Sequence, residues 1–290
     1  MIELKNEQLK VQINPLGAEV HSVQYQGREY LWQGDSASWG RQAPNLFPIV
    51  GRLKDNVYRY KEQEYTLTQH GFARDMVFTV LSQTATQVCL QLQSNATTRH
   101  RYPFEFDFRV TYQLQARQLQ VRYAVKNPSE KATMLYSLGA HPGFRVPLTT
   151  AGEFETTYVS VSPAQVYGQV HLVGPHSDLA HLDRLDFTKA MALRHDLFVN
   201  DALILATAGQ PTTVTLTEQA SGHGLQVINH DAPYVALWSA YPAQGDFVCV
   251  ESWWGLADSL TSDGQLVNKA AILRLAPGLT NHHQYEVAFF

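Results

Sequence analysis

Polar and apolar positions alternate with period two along most of the chain, and turn residues interrupt the alternation every few positions. Leu9, Val11 and Ile13 alternate with Lys10, Gln12 and Asn14, the pattern of a strand with one buried face. Pro15 to Gly17 turn the chain, residues 18–24 read as a second strand, and Gln26-Gly27 makes a hairpin-like turn into residues 29–32. Short strands are predicted at 58–60 and 64–67, and longer ones at 77–81, 87–93, 104–114 and 119–125, the last ending at Asn127-Pro128. Residues 148–200 are irregular, with a short strand near 157–161. Strands resume at 202–206, 213–216, 225–228, 233–239, 247–255, 270–275 and 283–290. Long helical periodicity, a Rossmann glycine pattern, a linker and an internal repeat are all missing. The pattern predicts an all-β chain, one large antiparallel twisted β-sandwich filling a single domain over residues 1–290.

Composition narrows the class. Hydrophobic residues make up 44% and charged residues 17% of the 290, the balance of an ordinary globular chain. A net charge of -4 argues against a phosphate-binding surface, so nucleic acid is not an expected partner. The N-terminus lacks the basic and apolar regions of a signal peptide, and no apolar run reaches the ~20 residues that span a bilayer. Cys89 and Cys249 lie far apart in strand-like runs, which predicts free thiols and a cytoplasmic location.

Chemistry-bearing residues collect where strands stop. His141 ends an apolar run and is followed by Pro142-Gly143, which must end or turn the strand. Such a histidine suits acid–base work; the competing reading is a hydrogen-bonded core histidine. His70 likewise precedes Gly71. In the run 247–255, Phe247, Cys249 and Glu251 share one face. A carboxyl beside Trp253 and Trp254 has its pKa raised by desolvation, as a general acid or base requires; a turn cap or an arginine partner is the alternative. The segment 41–52 is too apolar for a floppy loop and too broken for a strand. It presents Arg41 and Arg52, either to a ligand or to surface carboxylates. His171, His176, His181 and His195 have no zinc-type spacing, so no metal is expected.

Taken in order, these pieces resemble the aldose 1-epimerase (galactose mutarotase-like) family, in its LacX-like branch. The resemblance rests on residues 17–22 (GAEVHS) with Tyr30, Leu31 and Trp32, on 44–52 (PNLFPIVGR) and on 70–72 (HGF). It continues through 139–144 (GAHPGF), 200–204 (NDALI) and 249–258 (CVESWWGLAD). It implies a twisted β-sandwich with an open sugar cleft that interconverts the anomers of a free hexose such as galactose or glucose, without metal or nucleotide. By position, His141 resembles the family's catalytic acid and Glu251 its base. His70, Arg52 and Asp201 resemble the groups that hold the sugar, with Phe72 and Trp238 as aromatic candidates to stack on it. The sequence departs from galactose mutarotases at Pro142-Gly143-Phe144, where a Tyr-Phe-Asn run is usual, and at Ser252, where a glutamine is common.

Two rivals share this fold. One is a hexose-6-phosphate mutarotase with Arg41, Lys54 or Arg74 cradling the phosphate. The other is a sugar-binding protein without turnover. The acidic balance and the lack of a glycine-rich anion cradle favour a neutral sugar. A monomer or homodimer is expected.

Overall fold

The computed structural model describes residues 1–290. It contains 25 strands and one α-helix of six residues, Ala96–Arg101, held by an Asn95 capping box. The all-β expectation therefore holds. Most strands fall where period two places them, with ends displaced by a few residues. Gln87–Gln93 matches its expected bounds, 104–114 shortens to Asp107–Gln115, and 77–81 shifts to Thr79–Gln83.

Two large antiparallel sheets dominate. The nine-stranded sheet runs in spatial order Met191–Ala192, Thr157–Ser162, Thr212–Glu218, Gly224–Asn229, Thr280–Phe289, Gln118–Lys126, Asp107–Gln115, Gln87–Gln93 and Thr79–Gln83. The eight-stranded sheet runs His176–Asp186, Val166–Val173, Leu203–Ala206, Tyr234–Trp238, Phe247–Trp254, Leu138–Ala140 and Asn45–Leu46, with Gly143–Arg145 also paired to Phe247–Trp254. A four-stranded N-terminal sheet, Ile2–Lys5 to Arg28–Glu29, adds to them. One apolar cluster draws on all three: Val11 and Val20, then Val110, Val121 and Val214, then Leu138, Leu237 and Val250. The chain has no helix long and apolar enough to cross a membrane.

The strand Phe247–Trp254 is buried at all eight positions. It lies inside its sheet, so neither its backbone nor its side chains reach bulk water except through a cavity. A charged side chain there has to have a partner or lose its charge.

Residues 148–200 contain more order than their sequence suggests. Val166–Val173 and His176–Asp186 form a long hairpin turning at Gly174-Pro175, at the edge of the eight-stranded sheet. Pro and Gly read there as breaks because they make the hairpin turn, not because the strands end.

Candidate active site

His141 faces Glu251 because one strand pairs on both sides of a break. Leu138–Ala140 aligns Gly139 with Trp253, and Gly143–Arg145 aligns Gly143 with Cys249. The register is the same on either side of His141-Pro142, which sets His141 directly across from Glu251. Pro142 cannot donate to the ladder, but its carbonyl accepts from the Val250 N–H at 3.2 Å. The Nε2 of His141 lies 3.4 Å from Oε2 of Glu251, and the Trp253 indole N–H donates to the same oxygen at 3.0 Å.

Burial acts on this pair in opposite directions. Desolvation pushes the Glu251 carboxyl well above the carboxylate range, against the Trp253 hydrogen bond and with help from Asp201. It pulls His141 down to about 3, with Arg74 and Arg41 adding repulsion. Both shifts disfavour the charged forms, so burial favours a protonated Glu251 beside a neutral His141 over a carboxylate–imidazolium pair.

The remaining residues close around a cavity of about 420 Å³, the size of a small-molecule site. Arg52, His70, Asp201 and Trp238 line it. His70 sits in left-handed backbone (φ 67°) and its Nδ1 accepts from the Gly51 N–H at 3.1 Å. That bond leaves Nε2 to carry the proton, and burial holds the ring uncharged. Gly51 and Gly71 are needed beside it. Both have positive φ, and an added Cβ would fall 2.5 Å from the Ala257 Cβ or 2.4 Å from the Phe47 carbonyl oxygen. Arg52 is exposed at the rim and donates to the Gln69 side chain at 3.1 Å, not to a carboxylate. Asp201 has exposed surface, yet protein crowds its carboxyl and raises its pKa, opposed by the Ala202 N–H and Arg52.

Phe72 is the exception. It is 1% exposed and packs against Phe47, Tyr102 and Phe106 in the core. The turn at Gly71 sends the next side chain inward, so Phe72 is no sugar platform. Trp39 lies at the cavity wall instead and was not foreseen. Its ring stacks on His141 at 5.0 Å and 24° and meets Trp238 edge-on at 5.6 Å. Its backbone carbonyl accepts from the Trp32 indole at 2.8 Å. Trp39 comes from an irregular loop with no periodicity to mark it. Gln69, Arg74 and Trp253 also line the cavity, as do Leu172, Gly174 and Pro175 from the hairpin turn.

The basic residues divide. Arg41 is bound to Asp75 at 2.7 Å, and Lys54 is not part of the cavity wall. Arg74 reaches the cavity, and its Nη2 donates to the Gln69 carbonyl at 2.6 Å.

A family model described as aldose 1-epimerase matches residues 1–269. The chain belongs to the aldose 1-epimerase family. It is 33% identical to the plasmid protein LacX of Lactococcus lactis subsp. lactis, over 99% of this chain and 98% of that one. A solved galactose mutarotase related enzyme from Lactobacillus acidophilus superposes with a TM-score of 0.97 at 36% identity, covering 100% of this chain and 97% of the other. A galactose mutarotase-like protein from Lactobacillus casei ATCC 334 gives 0.90 at 31%, covering 100% of both. This aldose 1-epimerase relative thus has the family's β-sandwich, and it is an isomerase of the epimerase or mutarotase kind.

Proposed function

We propose that the chain, as one β-sandwich domain, interconverts the α and β anomers of a free hexose such as galactose or glucose. The observation that carries this reading is the His141–Glu251 pair, two buried proton-transfer groups at 3.4 Å on the wall of a sugar-sized cavity. Ring opening takes the proton from the C1 hydroxyl, breaks C1–O5, forms the C1 carbonyl and delivers a proton to O5. Rotation about C1–C2 and closure on the other face reverse each transfer. Opening with Glu251 as base and His141 as acid starts once the pair's proton has passed across the 3.4 Å contact from Glu251 to His141, and the two exchange roles on closure. No net proton is consumed, so a pair holding one proton is sufficient. Arg52, His70 and Asp201 hold ring hydroxyls, and Trp39 and Trp238 face the apolar side of the sugar. The protein works in the cytoplasm as a monomer or homodimer, on a small sugar and not on nucleic acid.

A neutral sugar fits better than its 6-phosphate. Of the three basic residues that would cradle a phosphate, only Arg74 lines the cavity, and the carboxyl groups of Asp201 and Glu251 line it too. Exchange between the H1 signals of the two anomers, followed by proton NMR on glucose, galactose and their 6-phosphates, tests both points. Protein-dependent exchange on the neutral sugars is expected. A tenfold higher efficiency on a 6-phosphate would reverse the substrate assignment.

Arg52 is a positioning group, so Arg52→Ala should raise KM as well as lower kcat. An unchanged KM would remove it from the sugar's contacts.

The depressed pKa of His141 fixes the sign of the pH dependence. A second proton reaches the pair only when His141 titrates, and that is held far below 6.5, to about 3. Activity should therefore stay level between about pH 5 and pH 7 and fall only in stronger acid. A pH–rate profile with its acid midpoint near 6.5 would contradict this.

A further inference from the structure

Cys249 stands two residues before Glu251, on the same face of the strand, and one donor atom from each of His141, Cys249 and Glu251 lies within 4.8 Å of the other two. All three residues are buried. Chain spacing hides this trio, because the ligands come from two paired strands and not from one helix or loop. Two further atoms of the pair, Nδ1 of His141 and Oε1 of Glu251, are buried without any hydrogen-bond partner. Buried polar atoms are rarely left without a water, ion or functional partner, and the free Oε1 leaves the carboxylate an oxygen that no protein group occupies.

We propose that this trio is an inhibitory binding site for zinc. Imidazole nitrogen, thiolate sulfur and carboxylate oxygen form a donor set that suits Zn²⁺ and disfavours Mg²⁺ and Ca²⁺. Tetrahedral zinc, with bonds of about 2.0–2.1 Å to nitrogen and oxygen, separates those two ligands by about 3.3 Å. The His141–Glu251 separation of 3.4 Å already meets that. The thiol has to close by no more than about 1 Å to reach bonding distance. His141 and Glu251 line the cavity and Cys249 lies behind them in the apolar cluster of Ala240 and Phe247, so an ion entering from the cavity meets the pair first and keeps its fourth position for water or a sugar hydroxyl. Zinc held there ties up the two groups that transfer protons, so it stops anomer exchange. The inhibitory effect rests on the mutarotase reading; the binding does not.

The test separates the two. Metal-free protein is titrated with Co²⁺, which gives a thiolate-to-cobalt charge-transfer band when sulfur binds it, and with Zn²⁺ against a chromogenic chelator. Wild type should take up one equivalent and show the band, while Cys249→Ala and Cys249→Ser show none and bind zinc at least about tenfold more weakly. In parallel, Zn²⁺ should inhibit anomer exchange by the wild type, EDTA should restore it, and Cys249→Ala, active without zinc, should need at least about tenfold more for half inhibition. Absence of the charge-transfer band in wild type overturns the site, whether or not any sugar turns over. Equal zinc sensitivity of wild type and Cys249→Ala overturns the role of the thiol.

Discussion

Glu251→Gln should lower kcat by about 10²-fold or more while leaving KM nearly unchanged. The amide keeps the shape of the carboxyl and can still meet the Trp253 indole, which now donates to Oε2 at 3.0 Å. It can neither take the C1 proton nor return one. His141→Asn should cost a similar factor, because it removes the other proton-transfer group. The double variant should be little worse than either single one, since opening the ring needs both transfers in one event. Polarimetry at saturating sugar checks the three variants side by side. If Glu251→Gln turned over at near wild-type rate, the proton acceptor would lie elsewhere and the strand Phe247–Trp254 would be structural only.

Asp258→Ala should destabilise the fold by about 3–5 kcal/mol, the usual cost of leaving one member of a buried ion pair alone. Lys269 and Asp258 approach to 3.4 Å with side chains 2% and 3% exposed. The ammonium keeps only the Leu256 carbonyl when the carboxylate is removed. Burial already lowers the Lys269 pKa, so part of the loss is relieved by deprotonation. Lys269→Met should cost less, because Asp258 still accepts from the Lys54 N–H at 3.0 Å and the Ser262 hydroxyl at 3.2 Å. The effect reaches the cavity as well. The Asp258 N–H donates to the Arg52 carbonyl at 2.8 Å, so the loop that carries the rim arginine rests on this pair. Urea unfolding of the three proteins measures the order. Asp258→Ala within about 1 kcal/mol of wild type would show that the pair contributes no net stability.

How far the sequence carried depended on the range of the interaction. Period two is local, so strands such as Gln87–Gln93 were legible residue by residue. Gly71 marked the turn that holds His70, and Pro142-Gly143 marked the break at His141. The meeting of His141 with Glu251 depends on a register shared across a chain break, and the family resemblance, not the spacing, foretold it. Phe72 misled because adjacency to a motif says nothing about side-chain direction after a left-handed glycine. Trp39 was invisible because its role comes from stacking on His141, a contact with no counterpart in local pattern. The hairpin turn at Gly174-Pro175 was lost for a related reason: residues that bend a hairpin over a cavity look the same as residues that end a strand. The rise of the Glu251 pKa was legible from Trp253 and Trp254 beside it, whereas the fall of the His141 pKa was not, because it comes from burial on all sides.

The most direct test is the optical rotation of freshly dissolved α-galactose and α-glucose, followed with and without the wild-type protein. Anomer exchange predicts a decay whose rate rises in proportion to protein concentration and which ends at the same equilibrium rotation as the blank. A decay identical to the blank, in a protein that still binds the sugar, would make the chain a sugar-binding protein and contradict the account.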